Sequence, residues 1–377
     1  MVWPRVIGQQ RAKKVLLSAI RTNRLAHAYL FHGPEGVGKD AMALELARVL
    51  HCELGGEEAC GTSCSSCLQI NALQHPDVKF VVALPRGKGE TDDDPPLAKL
   101  PESAIRALQE QLKRKAEEPY VRISLPQAFV IKINSIREVR REAALSTTAG
   151  RRRVVIISRA EDMRAESANA LLKTLEEPAG HTMLILTSAY PEMLLPTIQS
   201  RCQPVRFDLL GEEEIRAALI ERMQADPGRA AIVARIANGS YGTALELLQE
   251  DLDDERTMVL EFVRSLMSPR VIQFIERIER IAADRERDFV VRFLTLLLIW
   301  FRDAMVHAQG REIINSDQGE PIRKFVKLYP EANFVRVLHD IQHAISLVRR
   351  NAYILGVLLQ LAVHLRWNIL EGRNTGT

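Results

Sequence analysis

The sequence predicts an α/β domain followed by a region made only of helices. As far as Leu210, short apolar runs alternate with amphipathic helices, a pattern typical of a parallel sheet covered by helices. After Leu210 the strand patterns stop, and helical patterns are separated by short polar breaks. A glycine-rich loop lies between the first strand and its helix, where phosphate-binding loops occur. The predicted fold class is therefore α/β plus all-α.

The strands of the predicted sheet are short and apolar. The first, residues 28–31, follows an amphipathic helix over residues 9–21 and leads into the glycine-rich loop. Residues 80–84 form a second candidate strand. Two continuous apolar runs, residues 154–157 and 184–187, enclose a helical pattern. Runs of this kind are expected for parallel strands that are buried on both faces.

Residues 85–126 are polar and are predicted to form a partly disordered insertion. They contain the acidic run 91–94 and paired prolines. Ile105, Leu108 and Leu112 have the spacing of one amphipathic helix, which we expect to lie on the surface. No function follows from this pattern.

A helix start is predicted after the insertion. Ser135 and Glu138 have the spacing of a capping box, in which two side chains satisfy backbone amides at the beginning of a helix. Apolar residues Ile136, Val139 and Ala143 then recur at helical spacing. The helix is therefore expected to begin directly after Ser135.

The composition limits the classes of function. The chain has 377 residues and is 46% hydrophobic, enough for two or three domains with full apolar cores. Its 51 basic and 48 acidic residues nearly balance, which argues against a large cationic surface for nucleic acid. Residues 1–11 carry no apolar signal, and the longest apolar stretch, 293–301, suits a buried bundle helix and is too short to span a membrane. We expect a cytoplasmic protein with no membrane contact.

The glycine-rich loop nearly matches the P-loop pattern. The matching residues are Gly33, Gly36, Gly38 and Lys39. Their backbone amides, the lysine ammonium and the helix N-terminus can bind phosphate oxygens. Asp40 replaces the Ser or Thr whose hydroxyl binds Mg²⁺ in hydrolysing loops. A carboxylate can in principle hold the metal itself, but its longer side chain changes the coordination geometry.

The carboxylates that end one buried strand in hydrolysing P-loop proteins are also missing from the predicted strand 154–157. In hydrolysing P-loop proteins one carboxylate there holds the metal ion and the next polarises the attacking water. Here Ser158 and Arg159 follow the strand. Glu161 and Asp162 come later, at a helix start that favours acidic residues, and are expected to point away from the loop. ATP or ADP binding without hydrolysis is therefore the most that the sequence predicts.

Four of the five cysteines are clustered with the spacing Cys-x7-Cys-x3-Cys-x2-Cys. They are Cys52, Cys60, Cys64 and Cys67. Four thiolates complete a tetrahedral zinc site that leaves no position open for a substrate, so a structural zinc ion is expected. Two disulfides or free thiols are the alternatives, and a reducing compartment disfavours the disulfides. His51 and His75 are nearby alternative ligands, although packed or solvent-facing histidines are commoner.

Three further segments, residues 27–31, 169–178 and 197–202, are recognisable together with the P-loop. In sequence they are His-Ala-Tyr-Leu-Phe, Asn-Ala-Leu-Leu-Lys-Thr-Leu-Glu-Glu-Pro and Thr-Ile-Gln-Ser-Arg-Cys. They resemble the bacterial clamp-loader family of AAA+ proteins, which serves DNA polymerase III. The resemblance is strong over about the first two-thirds of the chain. The final helices fit the ring-forming collar of the family by composition and position only.

The resemblance implies three domains. An AAA+ P-loop domain over residues 1–210 would include a zinc module at 52–67 and the insertion. A small helical lid domain would cover residues 211–253, and a helical collar that oligomerises would cover residues 254–377. The family carries a comparable zinc module at this place, but its usual gap between the second and third ligands is one residue shorter.

The resemblance also assigns roles to single residues. In the family's Ser-Arg-Cys motif, here Ser200, Arg201 and Cys202, the arginine is the finger that acts on a neighbouring subunit's ATP. Cys202 itself is expected to be a packed hydrophobe, since no histidine lies nearby in sequence to activate it. Gly242 occupies the place where active relatives carry an arginine that senses the nucleotide.

Together these departures resemble the inert member of the family, a non-hydrolysing subunit that braces the ring and completes its neighbour's site during DNA replication. The implied partners are the clamp-loader ATPase subunits and a delta-type subunit in a hetero-pentameric ring. The sliding clamp and primed DNA would be contacted through this replisome-associated complex. The main alternative is an autonomous ATPase or helicase motor that uses Asp40 or Glu161. A DNA-binding zinc protein is a third possibility, and the near-neutral charge argues against it.

Overall fold

The computed structural model describes residues 3–143, 152–177, 182–249, 253–268, 271–282, 287–310, 318–349 and 352–370. The chain divides into two compact units. The first comprises Met1–Ala218 and Asn238–Leu245, and the second comprises Leu219–Ala237 and Glu246–Thr377. The three-domain division with boundaries at residues 210 and 253 stays a prediction.

A five-stranded parallel sheet forms the centre of the first unit. Its strands are β1 (Ala28–His32), β2 (Val78–Val81), β3 (Arg153–Ile157), β4 (Thr182–Ser188) and β5 (Gln203–Arg206). The order across the sheet is β2-β3-β4-β1-β5. Phe31 pairs with Thr187, and Ile157 pairs with Leu186, so the carboxyl ends of β1, β3 and β4 lie side by side. The loop after β1 therefore faces the residues that end β3 and β4.

In the described part of the chain, seven α-helices precede or connect these strands. They are α1 (Gln10–Arg21), α2 (Lys39–His51), α3 (Ser65–Asn71), α4 (Glu102–Glu117), α5 (Ile133–Ala143), α6 (Ala165–Glu176) and α7 (Pro196–Gln199). Leucines and other apolar residues of α5 and α6 pack on β1, β3 and β4 in one core. Helix α2 contacts β3 and β4, and nearly all of its side chains are buried. The P-loop helix is thus rigidly seated on the sheet.

The remaining described elements are all helical, as predicted. They are α8 (Glu212–Met223), α9 (Pro227–Ile236), α10 (Tyr241–Gln249), α11 (Asp253–Leu266), α12 (Val271–Ala282), α13 (Arg287–Ala308), α14 (Gly319–Leu328), α15 (Phe334–Arg349) and α16 (Ile354–Leu370). In the second unit α13 packs against α14 and α15, and Trp300 and Phe301 stack edge-on against Phe325. The apolar stretch 293–301 is therefore bundle core. Among the described helices, none combines the length and apolarity needed to cross a membrane.

Two strands differ from the sequence prediction. The predicted strand 80–84 lies earlier, at Val78–Val81, because the ladder with β3 pairs Val78 with Val154 and Val81 with Ile157. Strand β5 was not predicted. It is an edge strand in which only Val205 is buried, so it carries almost no apolar signal.

The insertion has a defined fold and is not a surface appendage. Leu108 of α4 packs with Leu84 and Leu125 in a small apolar cluster. Near the end of α4, Lys115 is 2% exposed and lies in the interior of the unit. The expected amphipathic surface helix is α4, in which only Leu108 and Lys115 are buried, whereas the expected partial disorder is not met.

The capping-box prediction for α5 is wrong. The helix begins at Ile133, before Ser135, which is buried within its first turn. Glu138 forms an ion pair with Lys79 at 2.7 Å and so does not cap the helix. The helix starts earlier because Asn134 donates a hydrogen bond to buried Glu90 of the insertion at 2.7 Å, a tertiary contact that local spacing does not encode.

Candidate functional site

The P-loop joins the end of β1 to the beginning of α2. Gly36 and Gly38 have φ angles of 70° and 102°, a backbone conformation that favours glycine. The Lys39 ammonium donates hydrogen bonds to the carbonyls of Gly33 at 2.7 Å and Pro34 at 2.6 Å. Burial lowers the pKa of Lys39 to about 8. The lysine side chain is thus folded back on its own loop.

Asp40 is bound on several sides by protein groups. Its Oδ2 lies 2.9 Å from the Lys115 Nζ and accepts a hydrogen bond from the Ser158 hydroxyl at 2.8 Å. Its Oδ1 accepts a hydrogen bond from the Thr187 hydroxyl at 2.8 Å. Burial alone would raise the pKa of Asp40, but Lys115 and the two hydroxyls together lower it below its ordinary value. The carboxylate is therefore charged and fully engaged within the protein.

The hydroxyl and carboxylate of the usual metal site have exchanged places. A hydrolysing site has a hydroxyl on the loop and a carboxylate at the strand end. Here the loop carries Asp40, the end of β3 carries Ser158, and the two are hydrogen-bonded. Arg159 occupies the place of the second carboxylate and bonds Glu35 of the loop at 2.6 Å and Asp162 at 2.9 Å. The strand end thus faces the loop with a positive charge.

Glu161, which was expected to point away from the loop, contacts the chain just after β4. Its side chain is buried, and its charge acts on Lys39, whose pKa it raises against the larger effect of burial. One carboxylate oxygen accepts a hydrogen bond from the Ala189 amide at 3.1 Å. The other, Oε2, is buried without a hydrogen-bond partner among the described residues.

Gly242 lies directly against the P-loop. Its amide donates a hydrogen bond to the Gly36 carbonyl at 3.0 Å. A Cβ atom on Gly242 would lie 2.9 Å from the Gly36 Cα, which is closer than real contacts allow. The residue at the sensor position is therefore held to glycine by backbone contact, and no arginine side chain fits there.

These contacts allow a test of whether the loop residues fit a Mg²⁺-nucleotide. They do not fit in the described arrangement. The carboxylate at the metal-binding position is paired with a lysine, and the phosphate-binding lysine is bonded to loop carbonyls. The phosphates of a nucleotide carry two or more negative charges, but the cations that would bind them here are already engaged by protein groups.

Arg201 follows α7 and precedes β5 on the surface of the first unit. Its side chain is 36% exposed, pairs with Glu176 at 2.8 Å and donates to the Thr197 carbonyl at 3.0 Å. Cys202 next to it is buried in the apolar core, and burial raises its pKa to about 12. The prediction that Cys202 is a packed hydrophobe is confirmed, and only the arginine is presented to solvent.

The four clustered cysteines meet in space. Their Sγ atoms all lie within 4.8 Å of one another, and all four are unpaired thiols. Cys52 lies at the end of α2, and Cys64 caps α3 by accepting a bond from the Cys67 amide at 3.4 Å. A tetrahedral zinc ion with Zn–S bonds of about 2.3 Å requires sulfurs about 3.8 Å apart, close to this arrangement. The residues therefore fit a four-thiolate zinc ion.

The longer gap between the second and third cysteines is taken up by a turn. Gly61 in this gap has φ of 76°, the left-handed conformation expected for a looser turn. Amide hydrogen bonds from Glu53 and Cys67 outweigh burial and lower the pKa of Cys64 to about 7. The rings of His51 and His75 are buried and lie against each other with centroids 4.5 Å apart. The structure places neither histidine in the metal-ligand cluster.

Sequence reasoning missed Lys115, the partner of Asp40. A signal was present, because Ile105, Leu108, Leu112 and Lys115 continue one helical spacing and so place a lysine on the apolar face of α4. A buried lysine needs an anionic partner. The sequence does not say which carboxylate that is, since Asp40 is far away in the chain.

Comparison with known proteins identifies the family. Residues 8–210 match the model of the family described as DNA polymerase III, delta subunit. The chain is 28% identical to DNA polymerase III subunit delta' of Bacillus subtilis over 363 residues, which cover 95% of this chain and 96% of that protein. It is 32% identical to subunit delta' of Pseudomonas aeruginosa over 248 residues, 65% of this chain and 63% of the relative.

The chain is also similar to a protein named DNA polymerase III subunit tau. DNA polymerase III subunit tau of Escherichia coli is 28% identical over 251 residues, which cover 65% of this chain and 32% of the longer tau chain. The match to the family model covers more than half of the chain. The chain therefore belongs to the DNA polymerase III delta-subunit family, and a relative named subunit delta' matches it over 95% of its length.

Proposed function

We propose that the chain is the non-hydrolysing delta prime-type subunit of a bacterial DNA polymerase III clamp loader. In this role it braces a ring of subunits and completes the ATP site of a neighbour during DNA replication. The observation that carries the proposal is the ion pair between Asp40 and Lys115, which engages the side chain at the metal-binding position of the P-loop. A loop in this state has no free ligand for the Mg²⁺ that hydrolysis requires.

Two further observations support the loss of hydrolysis. Arg159 stands where a hydrolysing site polarises water with a carboxylate, and a guanidinium is always protonated and cannot act as a base. Gly242 leaves no space for a sensing arginine. Three positions that serve one reaction are thus altered together, which is expected when the reaction itself is no longer performed.

Arg201 is the residue that we propose acts in trans. It is exposed, next to a buried cysteine that anchors the short α7–β5 connection in the core. A guanidinium placed at a neighbour's γ-phosphate stabilises the charge that builds there, an effect worth about 10³ to 10⁵ in rate. The surface ion pair with Glu176 is easily exchanged for such a ligand, because exposed pairs contribute at most about 1 kcal/mol.

The proposed partners are the clamp-loader ATPase subunits of the tau or gamma type and a delta-type subunit in a hetero-pentameric ring. The match to the Bacillus subtilis relative extends over 95% of the chain and so includes the C-terminal helices that would form the collar. The sliding clamp and primed DNA would be reached through the assembled complex. The zinc ion would be structural and would join the ends of α2 and α3.

The proposal is tested by ATP turnover of the loader assembled with the native chain or with Arg201→Ala. We expect the isolated chain to be inactive and the variant to lower turnover of the neighbouring site by about 10³ or more. Arg206→Ala is a matched control, because Arg206 is also exposed and lies on the adjacent strand β5. Equal turnover with Arg201→Ala and Arg206→Ala would show that Arg201 does not act at the neighbour's ATP site.

A second candidate is an autonomous variant ATPase, and Glu161 is the observation that favours it. Its buried Oε2 has no hydrogen-bond partner among the described residues, and its charge acts on Lys39. A buried carboxylate near a P-loop lysine could serve as a base. Turnover by the isolated chain that is lost in Glu161→Gln would establish this function in place of the first.

A further inference from the structure

The end of the insertion lies directly on the P-loop. We call residues 115–122 the closing segment. Its Lys115 pairs with Asp40 at 2.9 Å, and its Arg122 pairs with Glu35 of the loop at 3.1 Å. Between them, Tyr120 lies so close to Gly38 that a Cβ atom there would be 2.6 Å from the Tyr120 hydroxyl. The closing segment thus touches the loop at three positions.

We propose that the closing segment is a built-in occupant of the nucleotide site, in which the Lys115 ammonium takes over the charge of the metal ion. The inference deepens the proposed non-hydrolysing function and rests on it. It also gives the insertion a role, because residues 85–126 include the closing segment that covers the P-loop. The chain would then hold its P-loop in one state, whatever the concentration of ATP.

Neighbouring groups stabilise the Lys115 ammonium in this position. Its ammonium donates hydrogen bonds to the carbonyls of Pro119 at 3.1 Å and Val121 at 2.9 Å, both within the closing segment. It also lies 5.3 Å from the centre of the Phe80 ring. Together with Asp40, these groups coordinate the cation much as oxygen ligands surround a metal ion. A bound Mg²⁺ at Asp40 would have to displace a buried lysine and leave its charge without a partner.

Tyr120 fastens the segment to other parts of the site. Its hydroxyl accepts a hydrogen bond from the Ile7 amide at 2.8 Å. Its ring stacks edge-on against Tyr241, with centroids 4.9 Å apart, directly before the Gly242 that contacts the loop. Tyr120 therefore connects three segments beside the P-loop: Ile7 near the N-terminus, the closing segment itself and the start of α10.

The charges joined by these contacts balance without a ligand. The four basic side chains are Lys39, Lys115, Arg122 and Arg159. The four acidic ones are Glu35, Asp40, Glu161 and Asp162. A hydrolysing P-loop, by contrast, offers uncompensated positive charge that phosphate and Mg²⁺ complete. A nucleotide with its metal would add net negative charge to a site whose four cations already lie close to four carboxylates.

The experiment measures binding of a fluorescent ATP analogue to the full-length chain with and without Mg²⁺. The test variant is the double substitution Lys115→Met with Asp40→Ser, which removes the ion pair and restores the loop hydroxyl. Lys113→Met is the matched control, because Lys113 lies exposed on the same helix. We expect no saturable binding by the native chain or the control, and Mg²⁺-dependent binding tightened by about tenfold or more in the double variant.

Two results would overturn the inference. One is saturable, Mg²⁺-dependent binding by the native chain at micromolar nucleotide. The other is a folded double variant that binds no better than the native chain. If thermal melting shows that the double variant does not fold, Tyr120→Ala provides a second test, since it removes the contacts with Gly38, Ile7 and Tyr241 that hold the closing segment on the loop. Nucleotide binding by Tyr120→Ala that is no better than that of the native chain would then overturn the inference.

The outcome is separable from that of the proposed function. Nucleotide binding without turnover by the native chain would show that the closing segment does not occupy the nucleotide site. The proposed non-hydrolysing function would remain. Turnover by the isolated native chain would overturn both. A loss of loader activity in Arg201→Ala would support the trans-acting role whatever the closing segment does.

Discussion

Lys115 and Asp40 form an ion pair of 2.9 Å that joins the end of the insertion to the first turn of the P-loop helix. The lysine side chain is 2% exposed and the aspartate side chain 21% exposed. Two charges in such surroundings are costly to bring out of water, and each depends on the other for compensation. The pair therefore links the stability of the fold to the residue that follows the P-loop lysine.

Asp40→Asn is expected to destabilise the chain by about 3 kcal/mol at pH 7. Loss of one member of a buried pair costs about 3–5 kcal/mol, and the lower end applies because Asp40 is 21% exposed. Urea denaturation measures the free energy of unfolding. Asp93→Asn is the control, since the side chain of Asp93 is 87% exposed and its loss should change little.

The effect of Asp40→Asn should depend on pH with a defined sign. The folded chain holds the pKa of Asp40 below its ordinary value of 3.8, so the carboxylate contributes stability that is present above about pH 3.8. Below that pH the unfolded chain takes up the proton first, and this contribution is lost as the pH falls towards the folded pKa. The difference between native chain and variant should therefore shrink below pH 3.8. A constant difference would contradict the assigned charge pair.

Removal of metal from the cysteine cluster is expected to destabilise the first unit. We expect about one zinc ion per purified chain, and a lower melting temperature after treatment with a chelator, because closed four-thiolate sites contribute folding energy. Cys60→Ser should lose the metal with the least damage to packing, since Cys60 is less buried than the other three cysteines of the cluster. Metal content by mass spectrometry and the melting temperature are the measurements.

Cys202→Ala is the control for the zinc experiment. Cys202 is buried in the sheet core, away from the cluster, so the variant should keep its zinc. Retention of zinc by Cys60→Ser, or a stable chain that never contains metal, would count against a structural zinc site.

Gly242→Arg is expected to destabilise the chain instead of restoring a nucleotide sensor. The new Cβ would lie 2.9 Å from the Gly36 Cα, and backbone cannot move aside as a side chain can. Overpacking of this kind typically costs about 1–3 kcal/mol. Thermal melting compares it with Gln249→Arg, at an exposed position of the same helix. A variant as stable as this control would show that the loop and α10 can separate.

Much of the site could be predicted from sequence because it is local. The P-loop residues lie within one turn between a strand and a helix, and the four cysteines lie within a short segment. Spacing alone therefore places their backbone amides or sulfurs near each other. The loss of the loop hydroxyl at Asp40 and of the strand-end carboxylate at Ser158 could also be detected, because each motif has a defined next position.

Features that depend on long-range contacts could not be predicted in this way. The start of α5 was misplaced because Glu90 of the insertion bonds its first turn. Strand β5 was missed because only one of its side chains is buried and its pairing with β1 defines it. The burial of Glu161 was not predicted, because its contact with Ala189 joins positions that are distant in the chain.

Sequence patterns alone were enough to predict the family, the α/β and helical regions, the altered phosphate loop, the cysteine cluster and the candidate finger Arg201. Each of these rests on residues that are close in the chain, where spacing has a direct geometric meaning. The partner of Asp40, in contrast, is known only from the fold. Lys115 is distant from Asp40 in sequence, and the two meet because Leu108 of α4 packs with Leu84 and Leu125 and the Lys115 ammonium lies over the Phe80 ring of β2. Burial then requires the two charges to pair, and this pairing is a property of the fold that no local pattern contains.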